Sequence, residues 1–575
     1  MEKVSEELKK VIQKKFGVEI EPNVIVGENK TFQDGRKVDF ASSVAMQLAK
    51  VAKKNPVEIA KQIAVEISDF EVEVAGPGFL NFILPDEYFI EKLGNFEEDF
   101  EKNISCSEYF GQTVICEFSD PNPFKVLHVG HLYTSVVGES ISKIIEFAGG
   151  NVVRANFGGD VGLHVAKTLY AMMKKPEKVA EMMADDEKTS PEISLTEKSE
   201  FMAACYVEGT LAEENDEAAK TEIKDLNRKI YEISQEGEGA EDLDELAQAY
   251  WWGRKTSYKY FEDFYKKVGV KFDKYYPEST VAGRGLETVK SHLKSGMYEE
   301  SDGAIVFKGE KYGLHTRVFI NAAGLPTYEA KDVGLIFTKW DDYKFDWSIV
   351  ITGNDIIDYM KVVLKSIEQY EPKLVKRTKH LTHGNVRLPG NEKMSSRKGN
   401  FLKAVEVLDL IGGELEKQYG SKDKRVVDGA IKYAFLKYKI GGNLIFDAKG
   451  SVSMTGNAGP YLQYAAVRAQ KVLGNLMKDG VGDKNKEWEM NEYERELVKK
   501  IVEYQTVLQN AVKELAPHKI CNYLYELAQN FSRFYEQVKV AGSEYEFERG
   551  KIVLCYLKVL THGLEILGIE VPDRM

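Results

Sequence analysis

The chain has 575 residues, of which 43% are hydrophobic and 29% charged; that is enough length for three or four domains with ordinary apolar cores. No apolar run approaches the roughly 18 residues of a membrane-spanning helix, and the charged start, "MEKVSEELKKVIQKKF", lacks a secretory apolar region. A net charge of −13 argues against non-specific coating of nucleic acid but leaves room for a local phosphate-binding surface. Cys106, Cys116, Cys205, Cys521 and Cys555 are scattered with no C-x-x-C, which predicts reduced thiols in a cytoplasmic protein rather than disulfides or a zinc site.

Residues 1–108 read as a small α+β unit. "SEELKKVIQKKF" and "SSVAMQLAKVAKK" have helical spacing, the second with Val44, Leu48 and Val51 on one face. "DFEVEVA" and "FLNFILP" read as strands joined by a turn at Gly76-Pro77-Gly78. Alternation places Phe79 and Asn81 on one face of the second strand, with Leu80 and Phe82 on the other. Residues 109–400 read as α/β. The strand "TVICEF", a helix from Leu132 to Phe147 and the strand "NVVRANF" predict a parallel βαβ unit. An acidic, helical insertion occupies about 172–250, read as a solvated surface, and strand patterns return at "GAIVFK", "RVFIN" and "WSIVITG". Residues 401–575 predict an all-helical domain.

Two motifs carry chemistry. In "FSDPNPFKVLHVGHL", His128 and His131 flank Gly130 where the first strand gives way to a helix. Ligands of parallel α/β sheets bind at the carboxyl ends of strands, where the next helix directs free N–H groups at anions. Gly130 would allow close approach to the backbone, the two imidazoles would donate to phosphate, and Lys125 adds a cation. By itself the pair also fits an ordinary helix cap or, less well, a metal pair. The second motif is "NEKMSSRKGN", with Lys393, Arg397 and Lys398 close together. Cations and hydroxyls on a loop suit a leaving pyrophosphate; alone, such a loop is also an ordinary solvated surface.

Together the motifs resemble the HIGH and KMSKS signatures of class I aminoacyl-tRNA synthetases; a nucleotidyltransferase would share only the first. "EFSDPNPFKVLHVGHL", "VVRANFGGDVG", "FDKYYPES", "GLPTYEAKDVGL", "GNAGPYLQYAAVRAQ", the ending "GIEVPDRM" and "VEVAGPGFLNFIL" near the start are similar to stretches of the arginyl-tRNA synthetases. Val161, Phe157, Ala330 and Lys331 depart from that family's usual Trp, His, Thr and Arg.

The resemblance implies a multidomain protein: a Rossmann-like parallel-sheet catalytic domain, a small α+β N-terminal domain contacting tRNA, and an all-α anticodon-binding domain. It implies ATP-dependent joining of L-arginine to its tRNA, with Mg²⁺ arriving on ATP, no tightly bound cofactor, no membrane, a monomer, and activation that waits for tRNA. It assigns catalysis to Lys125, His128, His131, Lys393 and Lys398. ATP falls to His128, Gly130, His131, Asn354, Asp355, Lys393, Met394, Ser395 and Ser396. Arginine falls to Asn122 at its α-amino end and to Glu278, Tyr328 and Asp332 around the guanidinium. Tyr328 and Asp332 are one helical turn apart, which also fits a surface pair. Ser396 stands where KMSKS has its second lysine; Lys125, Arg397 and Lys398 are the candidates to replace it. Phe79 and Asn81 would meet the D-loop corner of tRNA, and Tyr461, Tyr464, Tyr535 and Met575 the anticodon. Another class I synthetase, for cysteine or glutamate, and a tRNA-binding paralogue without activity are the alternatives.

Overall fold

The computed structural model describes residues 2–27, 30–184, 193–239, 243–387, 402–479 and 488–575. The chain divides into two compact units, one of Met1–Asn103, Lys471–Tyr504 and Gln529–Lys558, the other of Ile104–Gln470, Gln505–Ala528 and Val559–Met575.

In the smaller unit, β1 (Val24–Val26), β2 (Phe40–Ser42), β3 (Glu71–Ala75) and β4 (Phe79–Ile83) form an antiparallel sheet in the order β1-β2-β4-β3. The β3–β4 turn requires Gly78: its φ is +116°, and a Cβ there would come within 2.9 Å of the Pro56 carbonyl carbon. Helices Val44–Ala52 and Pro56–Ala64 pack on this sheet, the second started by Asn55 Oδ1 accepting from Val57 N–H. Val44 and Leu48 are buried as their spacing predicts, but Val51 is 61% exposed, because it lies on the same face one turn beyond the covered part of the helix.

Asn81 corrects a second expectation. It is only 4% exposed, so its side chain is not on an open face. The reason is that β4 is an inner strand, with Asn81 paired to Ala41 on one side and Glu73 on the other, and everything from Leu80 to Ile83 is buried. Alternation assumes one wet face, and β4 has none past Phe79. Phe79 is half-buried, with Lys30 Nζ 4.8 Å from its ring centroid. Tyr535, also in this unit, is 38% exposed and packs 6.2 Å from Phe531.

The larger unit is built on a parallel sheet that begins with β5 (Thr113–Glu117), β6 (Asn151–Gly158) and β7 (Lys274–Pro277). A separate antiparallel sheet of β8 (Glu299–Ser301), β9 (Ala304–Phe307) and β10 (Arg317–Ile320) intervenes. With β11 (Trp347–Gly353) and β12 (Thr378–His383) added, the main sheet runs β12-β11-β5-β6-β7. The chain winds outward from β5 through β6 to β7, then returns to the other side of β5. The β5/β11 boundary is therefore the switch point, where the loops leaving the two strands diverge and open a crevice. β13 (Val386–Arg387) and β14 (Leu444–Ile445) form a short parallel pair.

The acidic insertion is more than a solvated surface. Its helices Leu195–Asn215 and Glu217–Glu236 bury Met202, Cys205, Ile223 and Ile230 in one apolar cluster with Leu169 and Tyr250 of the bordering helices Leu163–Met173 and Glu245–Lys267, and with Phe124 and Val161. The acidic residues take the outward faces, and the inward faces are continuous with the core beside the crevice.

Beyond β13 the regular elements among the described residues of this unit are all helices except for β14. The fully buried Gln463, on helix Gly459–Asp479, donates from Nε2 to Arg425 O (2.9 Å) and Glu570 O (2.7 Å). Lys432 Nζ donates to Gly568 O at 2.7 Å. The bond to Glu570 ties the C-terminal tail, which ends in the half-buried Met575, to the helix that carries Tyr461 and Tyr464, and the Lys432 bond ties it to helix Lys424–Leu436. Tyr464 is 39% exposed, while Tyr461 packs edge-on against Tyr525 at 5.7 Å.

Candidate active site at the switch of the parallel sheet

The helix after β5 runs Val129–Phe147, starting three residues before the expected Leu132. The histidines explain the difference. His128 is the N-cap: its Nδ1 accepts from Gly130 N–H at 3.1 Å, and His131 Nδ1 accepts from His128 N–H at 3.2 Å. The two rings thus form a reciprocal capping box, a role usually taken by Ser/Thr and Glu, and they stack with centroids 3.8 Å apart. The space a Cβ would need at Gly130 is filled by the His128 ring, 2.8 Å away, so the glycine accommodates this cap rather than leaving an open approach.

Capping also sets the chemistry of the rings. An Nδ1 that accepts a hydrogen bond is unprotonated, so the neutral imidazole carries its proton on Nε2. Burial and the Lys125 ammonium hold His128 down to about 4. Burial, His128 and Lys125 hold His131 well below the ordinary imidazole range. Both rings are therefore neutral Nε2–H donors at pH 7. On the other side of the switch, Asn354 and Asp355 form a 3₁₀ turn directly after β11. Asn354 Nδ2 donates to Gly441 O at 2.8 Å, and Asp355 is close enough to act electrostatically on His128. Lys393, Met394, Ser395, Ser396, Arg397 and Lys398 lie outside the described residues. The segment that follows them is placed: Val129 N–H donates to Leu402 O, and Ala404 N–H to Leu127 O, both at 2.9 Å.

The loop between β5 and this helix is tightly held. Ser119, Asp120 and Phe124 have φ of +75°, +47° and +67°, a region unfavourable for side chains and most of all for a bulky one. Ser119 Oγ meets Tyr265 OH at 2.8 Å, Phe157 N–H donates to Asp120 Oδ1 at 2.8 Å, and Phe124 N–H donates to Ser257 Oγ at 2.8 Å. Asn122, between them, accepts from Gly159 N–H at 3.1 Å, and a Cβ on Gly159 would approach both Asn122 and Glu278. Asn122 and Glu278 are thus brought to one place.

Charge accounting separates the expected arginine-binding residues. Glu278, at the start of helix Glu278–Ser291, is buried and paired with the buried Lys331. Burial raises the Glu278 carboxyl although Lys331 opposes the rise. Lys331, resisted by burial, is still raised by Glu278. Glu117 pairs with Lys339 at 2.5 Å and Asp160 with Arg254 at 2.7 Å. Asp332 instead receives a hydrogen bond from the Tyr359 hydroxyl, which is neutral. Burial pushes Asp332 up to about 7. Glu278 thus already holds a cation from its own chain, whereas Asp332 holds a neutral donor. Tyr328 is 53% exposed while Asp332 is buried, so the helical turn between them runs from the surface into the core and the two are not a surface pair. Lys331 Nζ lies 4.7 Å from the Tyr328 ring centroid.

Lys331→Met would leave the buried Glu278 carboxylate without its cation. Losing one member of such a pair costs about 3–5 kcal/mol, so the melting temperature should fall markedly while Lys331→Arg stays near wild type. Equal melting of all three proteins would show that the pair does not neutralise Glu278.

Sequence reasoning missed Lys331 as a pocket residue, Tyr359 as the Asp332 donor, and the Arg254–Asp160–Ser279 network. Asp160 accepts from Ser279 N–H at 2.8 Å, from Ser279 Oγ at 2.7 Å and from Arg254 Nε. "GGDVG" could have flagged Asp160, a carboxylate between glycines after a strand. Nothing local marks Tyr359. His164, also missed, meets Gly159 O through Nε2 at 2.7 Å, and burial holds it down to about 3.

Known proteins share this architecture. The chain matches the family described as tRNA synthetases class I (R), catalytic domain, over residues 101–427, which is more than half its length. It also matches the arginyl tRNA synthetase N terminal domain over 2–84 and the DALR anticodon binding domain over 462–575. An arginine–tRNA ligase of Borrelia duttonii (strain Ly) is 29% identical over 565 residues, covering 93% of this chain and 92% of that protein. Two solved structures share the fold. The arginyl-tRNA synthetase of Thermus thermophilus has a TM-score of 0.77 at 21% identity, with all of both chains covered. That of Plasmodium falciparum has a TM-score of 0.74 at 20% identity, covering 100% of this chain and 99% of that one. The catalytic-domain match over more than half of the chain, with the arginyl N-terminal domain matched before it and the DALR domain after it, places the chain in the arginyl family of class I tRNA synthetases.

Proposed function

We propose that the chain is an arginine–tRNA ligase that activates L-arginine with ATP, releasing pyrophosphate, and transfers the arginyl group to the 3′ end of its tRNA. The observation that carries the choice of arginine is Asp332. Glu117 and Glu278, the carboxylates that act on it electrostatically, each pair with a lysine of the chain, whereas the hydrogen-bond partner of Asp332 is a hydroxyl. A buried carboxylate with one neutral donor is completed by a ligand that brings positive charge and several N–H groups, and a planar guanidinium supplies both.

Asn122 takes the α-amino end of the substrate, Tyr328 closes the rim, and Glu278, neutralised by Lys331, shapes the pocket wall. The arginine carboxylate attacks the α-phosphorus in line with departing pyrophosphate. No covalent enzyme intermediate is required; orientation and charge stabilisation carry the step. His128 and His131 direct Nε2–H donors at the phosphates, Asn354 and Asp355 bound the nucleotide from the β11 side, and Lys125 supplies a cation. Lys393, Lys398 and the Met394–Ser396 stretch act on the leaving pyrophosphate. Mg²⁺ enters as part of the ATP substrate. Tyr461, Tyr464, Tyr535 and Met575 receive anticodon bases, where stacking on an aromatic is worth roughly 1–3 kcal/mol per base, and Phe79 meets the D-loop corner. The enzyme works as a cytoplasmic monomer. Five free cysteines support a reducing compartment, and among the described residues no helix is long and apolar enough to cross a membrane.

ATP–pyrophosphate exchange with each of the twenty amino acids, with and without tRNA, tests this. Exchange should appear with arginine and depend on tRNA. Exchange with a different amino acid, or none with arginine and tRNA together, would overturn the assignment.

A further inference from the structure

The acidic insertion supplies a side chain to the catalytic crevice. Lys125 Nζ lies 4.2 Å from the ring centroid of Tyr206, which sits on helix Leu195–Asn215 of the insertion. We propose that Tyr206 is a positioning residue for adenylate formation: its ring holds the Lys125 ammonium at the mouth of the phosphate site defined by His128 and His131. This rests on the function proposed above.

Three observations carry it. The Lys125 backbone leaves a fixed point, because Phe124 is locked by its bond to Ser257 and by its fully buried ring, which stacks on Tyr250 at 6.1 Å. The Lys125 charge reaches the site, since its proximity lowers the proton affinity of His128, His131 and His164 alike. The platform is itself fixed: Met202 and Cys205 on the same helix are fully buried, and Gly209 comes so close to Lys167 O that a Cβ would stand 2.0 Å from it. A flexible lysine stem is thus gripped at both ends by rigid elements.

The choice of an aromatic fits the task. A carboxylate in the place of Tyr206 would cancel the charge that phosphate needs. A ring face attracts an ammonium through its quadrupole and leaves the net charge whole. The hydroxyl is not part of this grip, so phenylalanine should substitute. The same helix also reaches the segment behind the second signature, since Glu200 pairs with Lys403, whose backbone bridges His128.

The test is a double-mutant cycle in arginine- and tRNA-dependent exchange, with kcat and the ATP KM measured separately. Tyr206→Phe should keep at least half the wild-type kcat. Tyr206→Leu should lower kcat by about tenfold, within the range a desolvated cation–π contact provides, with a smaller change in ATP KM and an unchanged melting temperature. In a Lys125→Met background, single-turnover adenylate formation should be the same with Tyr206 or Leu at 206. If Tyr206→Leu retains wild-type kcat, or slows the Lys125→Met enzyme as much as it slows wild type, the proposal is overturned. If Tyr206→Leu does not fold, Tyr206→Met takes its place in the same cycle. Wild-type exchange with arginine tests the function itself, so loss of that reading and loss of this one are separate results.

Discussion

His128→Asn should give a protein that melts close to wild type and forms almost no adenylate. The two halves of that result have different causes. His128 caps the Val129–Phe147 helix through Nδ1. Asparagine caps at least as well as any residue, whereas alanine at a cap costs about 1 kcal/mol. The helix start, and with it the whole loop after β5, should survive in His128→Asn and weaken in His128→Ala. The imidazole Nε2–H has no counterpart on asparagine that reaches as far. Loss of one preorganised donor to charge developing on a phosphate slows the step by about 10²–10³-fold. Melting curves and arginine-dependent exchange of wild type, His128→Asn and His128→Ala separate the roles. If His128→Asn exchanges at a near-normal rate, the ring is only a cap. His131→Gln should behave in parallel, because its Nδ1 closes the other half of the box.

Asp332→Asn should raise the arginine KM by about 30-fold or more and leave the ATP KM nearly unchanged. Removing one charge from a buried pair costs about 2–5 kcal/mol, and the amide would also turn an acceptor into a donor facing the guanidinium. The pH dependence gives an independent check. Burial pushes the Asp332 carboxyl up to about 7, so it is largely protonated at pH 6 and ionised at pH 8. A guanidinium needs the ionised form, and a single proton with that pKa makes the arginine KM fall about tenfold from pH 6 to pH 8. Stability runs the other way. A carboxyl raised by folding contributes most when protonated, below the ordinary carboxylate range, and that contribution is lost as pH rises through 7. Both slopes should vanish in Asp332→Asn. Tyr359→Phe removes the bond that stabilises the ionised form, so its profile should shift to higher pH. An arginine KM that stays flat between pH 6 and pH 8, or that moves in step with the ATP KM, would remove Asp332 as the guanidinium partner.

What could be read in advance followed the range of the forces involved. The β3–β4 hairpin, the β5–helix–β6 unit and the insertion helices all rest on local periodicity and turn residues, and all were legible. Asn81 was misread because burial of a strand's second face depends on neighbours distant in sequence. The helix start was misplaced because two histidines took a role that Ser and Glu usually hold. In the site, the signature residues were found as patterns, but their partners were not. Lys331 and Glu278 are 53 residues apart, Asp332 and Tyr359 27, and Asp160 and Arg254 94. A substitution such as Lys331 for the family's usual arginine can be seen in the chain; that it neutralises Glu278 cannot.

The strained loop after β5 bears on how this protein could be recombined. Ser119, Phe124 and, through Gly159, Asn122 owe their conformations to groups on or beside the Glu245–Lys267 helix: Tyr265, Ser257 and the Asp160–Arg254 pair. The insertion that ends in this helix is therefore not a cassette. A chimera whose exchanged stretch ran on past residue 250 through the rest of this helix would sever the clamps on a loop it never touched in the sequence. The loop would relax toward ordinary backbone angles and carry Asn122 and Lys125 away with it. Grafts should succeed only when their boundaries leave Asp244 to Val268 with the loop, so that loop and helix are inherited together.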